Sequence, residues 1–282
     1  MGNPRRWIRQ FCASALGVQK DVELWWTPEL PVVYVNNPKC GCSTVKNSLR
    51  QAQAARFRDK GRGSFTLVND PHKGDDCLKQ RGIDDLVRSD ARLVISCARN
   101  PFSRALSGYL DKVVNGDPSL YREFRGSRPQ SFEAFLEALL SAKPQTLDPH
   151  FRPQYLNLWL TGVSYDAVFY LEDIATLRRA LSSTIGEFEL ETFAPHSRRA
   201  QEKMRTYYTP RAVELVKAVY EEDFVRLGYS RNIEQATEAP GAYWTPRGIV
   251  QLGREGHLKP TSGLASLRSL IRYWRLVEAR VI

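Results

Sequence analysis

The chain has 282 residues, 42% hydrophobic and 26% charged, with a formal net charge of +10; that apolar content buries a full core, as one domain with attachments, and no internal repeat or low-complexity tract is present. The basic excess sits at the ends: residues 1–62 carry eleven Lys/Arg against four Asp/Glu, and residues 240–282 carry seven against two. Such a field draws anionic ligands, but no zinc-finger spacing, RRM aromatic motif or helix-turn-helix pattern accompanies it, so no nucleic-acid partner is expected.

Residues 1–30 read as a basic N-terminal segment. The stretch MGNPRRWIRQFCASALGVQKDVELWW holds no apolar run long enough to cross a bilayer or act as a signal peptide, and Arg6 breaks the myristoylation pattern after Gly2. Val32, Val33, Tyr34 and Val35 form a short β-branched and aromatic run, which predicts a buried strand. Asn36, Asn37 and Pro38 stop it. Lys39-Cys40-Gly41-Cys42-Ser43-Thr44 then supplies a cation, a permissive glycine and two hydroxyls where Val45 to Leu49 begin a helix. Strand, turn and helix N-terminus is the geometry in which free N–H groups and the helix dipole hold an anion. The spacing is not that of a Walker A loop, G-x-x-x-x-G-K-[ST].

A second unit follows at Leu93 to Tyr109, LVISCARNPFSRALSGY. Leu93 to Cys97 predicts another buried strand, Arg99 emerges at its C-terminal end, and Asn100-Pro101 turns the chain into a helix from Phe102 onward. Arg104 and Ser107 fall on adjacent turns of that helix. An arginine fork with a serine hydroxyl suits a phosphate monoester, because a guanidinium donates two parallel hydrogen bonds. A Mg²⁺-dependent phosphoryl transferase needs a carboxylate near its second strand; arginine stands there instead. Two strand–turn–helix units followed by helices predict an α/β fold with a mainly parallel sheet, suited to a nucleotide with two separate phosphate ends and no metal.

Further along, Ser131 caps an amphipathic helix whose Phe132, Phe135, Leu136 and Leu139 share one face and read as core. Glu172 ends the apolar run Ala167 to Leu171, either to orient an active-site base or to cap the next helix. Gln235 to Gly263, rich in Gly, Pro and Thr, reads as a long linker or covering segment. Leu264 to Ile282 reads as a basic amphipathic helix that packs on its own domain, on an anionic membrane or on a partner subunit. The five cysteines, Cys12, Cys40, Cys42, Cys77 and Cys97, are odd in number and scattered, which argues for a reducing compartment and against zinc.

PKCGCSTVK and RNPFSRALSGY resemble the 5′-phosphosulfate and 3′-phosphate loops of the carbohydrate sulfotransferases that use 3′-phosphoadenosine 5′-phosphosulfate, most closely those of chondroitin and dermatan type. The second loop of that family reads R-x-P-x-x-R-x-x-S-x-Y, matched by Arg99, Pro101, Arg104, Ser107 and Tyr109. In the first, Ser43 replaces the usual threonine and Val45 the frequent tryptophan. The resemblance continues, in order, through DPHFRPQ (148–154), YDAVFYLEDI (165–174) and VYEEDFVRLGY (219–229). It implies a P-loop-like doubly wound sheet over residues 31–230, with 231–282 as a C-terminal attachment. Eukaryotic members are typically Golgi membrane-anchored; with no such anchor read here, the expectation is a soluble, cytoplasmic, bacterial member.

The resemblance further implies in-line transfer of a sulfuryl group to a hydroxyl of a carbohydrate, whether polysaccharide or lipid-linked glycan, without a metal. In that reading Lys39 contacts the 5′-phosphosulfate and stabilises the leaving group. Backbone amides of Cys40, Gly41, Cys42, Ser43 and Thr44, with the two hydroxyls, hold the same end, and Arg99 and Ser107 hold the 3′-phosphate. Lys46 is either a further donor contact or a solvated helix lysine. His72, in the loop-like VNDPHKGDD, is the expected base, since related enzymes place a histidine or glutamate in this interval; His150 competes for that role. His150, Arg152 and Gln154 are expected near the acceptor, and Trp25, Trp26, Trp159 and Trp244 either stack on sugar rings or pack in the core. A kinase with a degenerate phosphate loop, or a non-catalytic binder of sulfated glycans or nucleic acid, are the alternatives.

Overall fold

The two apolar runs read as buried strands form the centre of one sheet. The computed structural model describes residues 24–27, 29–59, 79–80, 93–124, 126, 128–159, 165–186, 188–190, 200–240, 243–245 and 248–250. Its strands are β1 (Leu24–Trp26), β2 (Val32–Val35), β3 (Lys79–Gln80), β4 (Leu93–Ala98), β5 (Ala167–Tyr170), β6 (Tyr243–Thr245) and β7 (Gly248–Val250). Its α-helices are α1 (Cys42–Asp59), α2 (Pro101–Gly108), α3 (Phe132–Ser141), α4 (Gln154–Trp159), α5 (Ile174–Ile185), α6 (Ala200–Tyr207), α7 (Pro210–Val219) and α8 (Glu221–Leu227).

The strands lie in the order β3-β1-β2-β4-β5-β6-β7. The middle three are parallel, with Val32 opposite Leu93 and Ile95 opposite Ala167. Strands buried on both faces need continuous apolar sequence, which is what β2 and β5 show, every residue of each being buried. The outer strands pair antiparallel: β1 on β2, β3 on β1, β6 on β5 and β7 on β6. The expected α/β class and parallel centre are therefore present, with antiparallel additions at both edges. β1 comes from the segment read as a basic extension, and β6 and β7 from the segment read as a linker or covering segment. Each has three residues, too few to show a periodicity.

Alternate side chains of the central strands serve two cores. On one face Tyr34, Ile95, Cys97 and Phe169 pack with Val45 and Leu49 of α1 and Leu177 and Leu181 of α5. On the other, Val35, Ala98, Val168 and Tyr170 pack with α2, α3, α7 and α8 through Phe102, Phe135, Val216 and Phe224. Helices thus cover both faces. The helix expected from Ser131 forms as α3: the Ser131 hydroxyl accepts from the Ala134 N–H at 3.1 Å, and Phe132, Phe135, Leu136 and Leu139 are all buried. Its Phe135 also joins a ring cluster with Phe124, Tyr121 and Phe151, which seats the 148–154 segment beside the sheet's C-terminal edge. The basic helix expected over residues 264–282 lies outside the described residues.

Candidate functional site

At the C-terminal end of β2 the chain makes a tight turn before α1. Lys39 and Gly41 adopt left-handed backbone angles, φ +69° and +77°, the first costly for a residue with a Cβ. The first helical hydrogen bond runs from the Val45 N–H to the Gly41 carbonyl. The amides just before it have no intrahelical partner, and no acidic residue occupies the first turn of α1. The turn therefore has the backbone geometry of an anion cradle, as its composition predicts. A Cβ at Gly41 would stand 2.6 Å from Leu171 Cδ1. We expect Gly41→Ala to destabilise the fold by about 1–2 kcal/mol, from the left-handed φ and the displaced Leu171, read as a lowered midpoint in chemical unfolding.

The Lys39 ammonium pairs with Asp111 Oδ2 at 3.1 Å, and Lys112 reaches the same oxygen at 3.1 Å. Asp111 belongs to a π-helical turn, Tyr109–Val114, that continues α2; such turns re-aim side chains at functional sites. Burial lowers the Lys39 pKa, with Asp111 opposing. Burial likewise pushes the Asp111 carboxyl up, but Lys39 and Lys112 outweigh it and hold it below its usual value.

Arg99 follows β4 at the next strand end. Its Nε donates to Ser103 Oγ at 2.9 Å, and its Nη1 donates to the Lys39 carbonyl at 3.3 Å. The fork predicted from sequence thus lies against the cradle. Burial lowers its pKa, opposed by Glu172. Ser107 is one turn beyond Ser103 on the same face of α2, half-buried, and its hydroxyl has no hydrogen-bond partner among the described residues.

Arg104 is not part of an anion receptor. It is 1% exposed and donates to three backbone carbonyls: Pro38 at 3.1 Å, Arg152 at 2.9 Å and Pro149 at 3.0 Å. It joins the cradle to the DPHFRPQ segment. Asn157 repeats the connection, its Nδ2 donating to Asn37 Oδ1 and to the Pro149 carbonyl.

Gln154 departs from the expected acceptor role. It is fully buried; its Oε1 accepts from the Arg99 N–H at 2.9 Å and Cys40 Sγ at 3.0 Å, and its Nε2 donates to the Arg99 carbonyl at 2.8 Å. With both ends of its amide engaged, it fastens the two loops together. Asp223 holds the start of α4 from behind, accepting from the Gln154 and Tyr155 N–H groups at 2.8 Å each, and burial raises its pKa to about 6.

His150 and Arg152 remain at the surface of this assembly or just beneath it. His150 Nδ1 lies 2.7 Å from Asp148 Oδ1. Arg152 is 5% exposed, its Nε has no hydrogen-bond partner, and its guanidinium makes no ion pair among the described residues. Burial lowers its pKa, opposed by Asp148, and the buried Nε is left to meet a hydrogen-bond acceptor. His72 lies outside the described residues.

Lys46 is not a solvated helix lysine: it is fully buried, its ammonium 4.2 Å from the centroid of Trp25, and Arg50 lies over the same ring. Trp25 is accordingly core and cannot stack on a sugar. Glu172 neither caps the next helix nor reaches a base; its carboxylate accepts from the Asn100 N–H at 2.8 Å and the Tyr229 hydroxyl at 2.9 Å. Burial pushes the Cys40 thiol up to about 12, so Cys40 is a packed residue beneath the cradle and not a nucleophile.

Sequence reasoning missed Asp111, Ser103 and Asp148. A signal for the first two was present: Ser103, Ser107 and Asp111 recur every four residues, the spacing of one helical face.

The fold and site define an α/β protein with two strand–turn–helix loops, bridged by Arg99 and by Gln154. The chain belongs to the Sulfotransferase family, whose model matches residues 22–230. Sulfuryl transfer is therefore its general reaction class. No curated protein and no solved structure matches the chain. Among the described residues no helix is long and apolar enough to cross a membrane.

Proposed function

We propose that the protein moves the sulfuryl group of 3′-phosphoadenosine 5′-phosphosulfate to a hydroxyl of a carbohydrate. The observation that carries this reading is the junction of Lys39 and Arg99 at the mouth of an acid-free helix N-terminus. A donor with phosphate groups at two positions of one nucleoside needs two cationic loops, and the resemblance assigns them to the 5′ and 3′ ends. The Cys40 N–H donates to the Asn37 carbonyl at 3.2 Å and so drops out of the expected set. Lys39, with the amides of Gly41 to Thr44, would neutralise charge on the departing 5′-phosphate, and Arg99 with Ser107 would hold the 3′-phosphate. The Arg152 Nε, buried and without a hydrogen-bond partner among the described residues, supports an acceptor that carries an oxygen-rich group beside the hydroxyl. A reducing, cytoplasmic setting fits the free thiols of Cys40, Cys42 and Cys97.

Arg99→Ala is expected to erase the preference for 3′-phosphoadenosine 5′-phosphate over AMP, since only the former carries the 3′ group; competition calorimetry measures it. The carbohydrate assignment is tested with ³⁵S-labelled donor and a panel of neutral and acidic oligosaccharides. Label on a glycan supports it. Label moved only to a phenol or an amine would replace the acceptor class while leaving the donor.

A further inference from the structure

A carboxylate stands beside the anion cradle, where its charge alone would oppose an anionic donor. We propose that Asp111 is the positioning residue of Lys39: it aims the ammonium and keeps it protonated, while Lys112 offsets the carboxylate's own charge. This rests on the sulfotransferase reading and adds the groups that prepare its lysine. Asp111 Oδ2 accepts from Lys39 Nζ at 3.1 Å and lies 3.1 Å from Lys112 Nζ.

The turn that carries the carboxylate fixes it in place. The π-helical residues Tyr109–Val114 continue α2, with Tyr109 and Val113 buried on the inner side. The Tyr109 ring meets Phe132, Phe135 and Tyr207, so the segment is anchored against α3 and α6. An ammonium has three N–H donors. Asp111 takes one from Lys39, which leaves two for an anionic ligand. A lone Lys39–Asp111 pair would be neutral and a poor anion receptor. With Lys112 on the same oxygen, the three groups carry one net positive charge, and the site stays attractive to phosphate and sulfate.

Protonation is the second consequence. Lys39 is faced by Asp111 and Lys112 from the π-helical turn and by the Cys42 thiol from α1, with the Arg99 guanidinium on its carbonyl. Burial, and more weakly Lys112, favour the neutral amine; Asp111 is the strongest group against them. A neutral amine cannot meet the charge that develops on the departing phosphate. Without the carboxylate the ammonium loses its proton at a lower pH. The active form is the protonated one, so the loss of turnover on raising the pH then begins earlier. Asp111 itself touches no reacting atom.

Two measurements test this without a known sugar, and the first needs no donor. Acylation of Lys39 by acetic anhydride across a pH series, read by peptide mass mapping, gives the pKa of its amine. Asp111→Asn is expected to lower that pKa by about 1–3 pH units, and Asp111→Glu to bring it back toward the wild type. In the second, turnover with water as acceptor is read as release of 3′-phosphoadenosine 5′-phosphate from the phosphosulfate. Its alkaline limb is expected to move down by the same amount in Asp111→Asn. In a Lys39→Ala background the same substitution should slow turnover no further, because Asp111 acts through Lys39. Lys112→Met is expected to weaken bisphosphate binding several-fold, most at low salt. An unmoved Lys39 pKa in Asp111→Asn, or a further loss of turnover in the Lys39→Ala background, would overturn the proposal. If the wild type failed to bind the bisphosphate, the donor reading would fall, and the positioning role with it, even where labelling still showed Asp111 holding the Lys39 proton.

Discussion

Replacing Lys39 by alanine is expected to slow sulfuryl transfer by about 10²–10³-fold, the usual cost of losing one group that meets developing charge in a water-poor site. The substitution is well controlled by the backbone. Lys39 already has φ +69°, and alanine carries the same Cβ, so the strain of that position is unchanged. Asp111 loses one cation but keeps Lys112 at 3.1 Å, which limits any loss of stability. A variant that folds normally and binds the bisphosphate somewhat more weakly, yet has lost most of its turnover, is the expected outcome. Turnover within a few-fold of the wild type would remove Lys39 from the chemistry.

Arg104→Ala is expected to act on the fold. The buried guanidinium satisfies the carbonyls of Pro38, Pro149 and Arg152, and truncation leaves three acceptors and a cavity. Breaking such a set costs about 3–5 kcal/mol, a large share of the ~5–15 kcal/mol that stabilises an ordinary domain. Thermal unfolding should shift down by roughly 10 °C or more. Arg104→Lys should fall between, since one ammonium cannot reproduce a planar fork directed at three oxygens. An unshifted midpoint in Arg104→Ala would mean that the two loops are held by Gln154 and Asn157 alone.

These two residues show what the sequence disclosed and what it hid. The meeting of Lys39 and Arg99 at neighbouring strand ends was legible because each stands in a fixed place relative to a short apolar strand. The central strands and α3 were legible for a similar reason: Val32–Val35 and the Phe132, Phe135, Leu136 and Leu139 face carry their burial in their spacing. Arg104 was misread. Its place one helical turn past Arg99 suggests a phosphate fork, and only the packing of residues 149–152 shows that three carbonyls engage it. The acceptor role of Gln154 and the solvated reading of Lys46 failed likewise, because burial of a polar side chain depends on what folds over it from distant sequence. The edge strands β1, β6 and β7 were too short to read. The Asp148–His150 pair was half legible: the histidine was singled out, but its neighbour two residues earlier was not given a role.

The central claim is that the two loops hold a nucleotide phosphorylated at both 3′ and 5′ positions. Calorimetric titration with 3′-phosphoadenosine 5′-phosphate, AMP and ATP, each with and without Mg²⁺, tests it most directly. The account predicts tight, Mg²⁺-independent binding of the bisphosphate, with AMP and ATP much weaker. Tight binding of ATP that appears only when Mg²⁺ is added, with no preference for the 3′-phosphate, would contradict it.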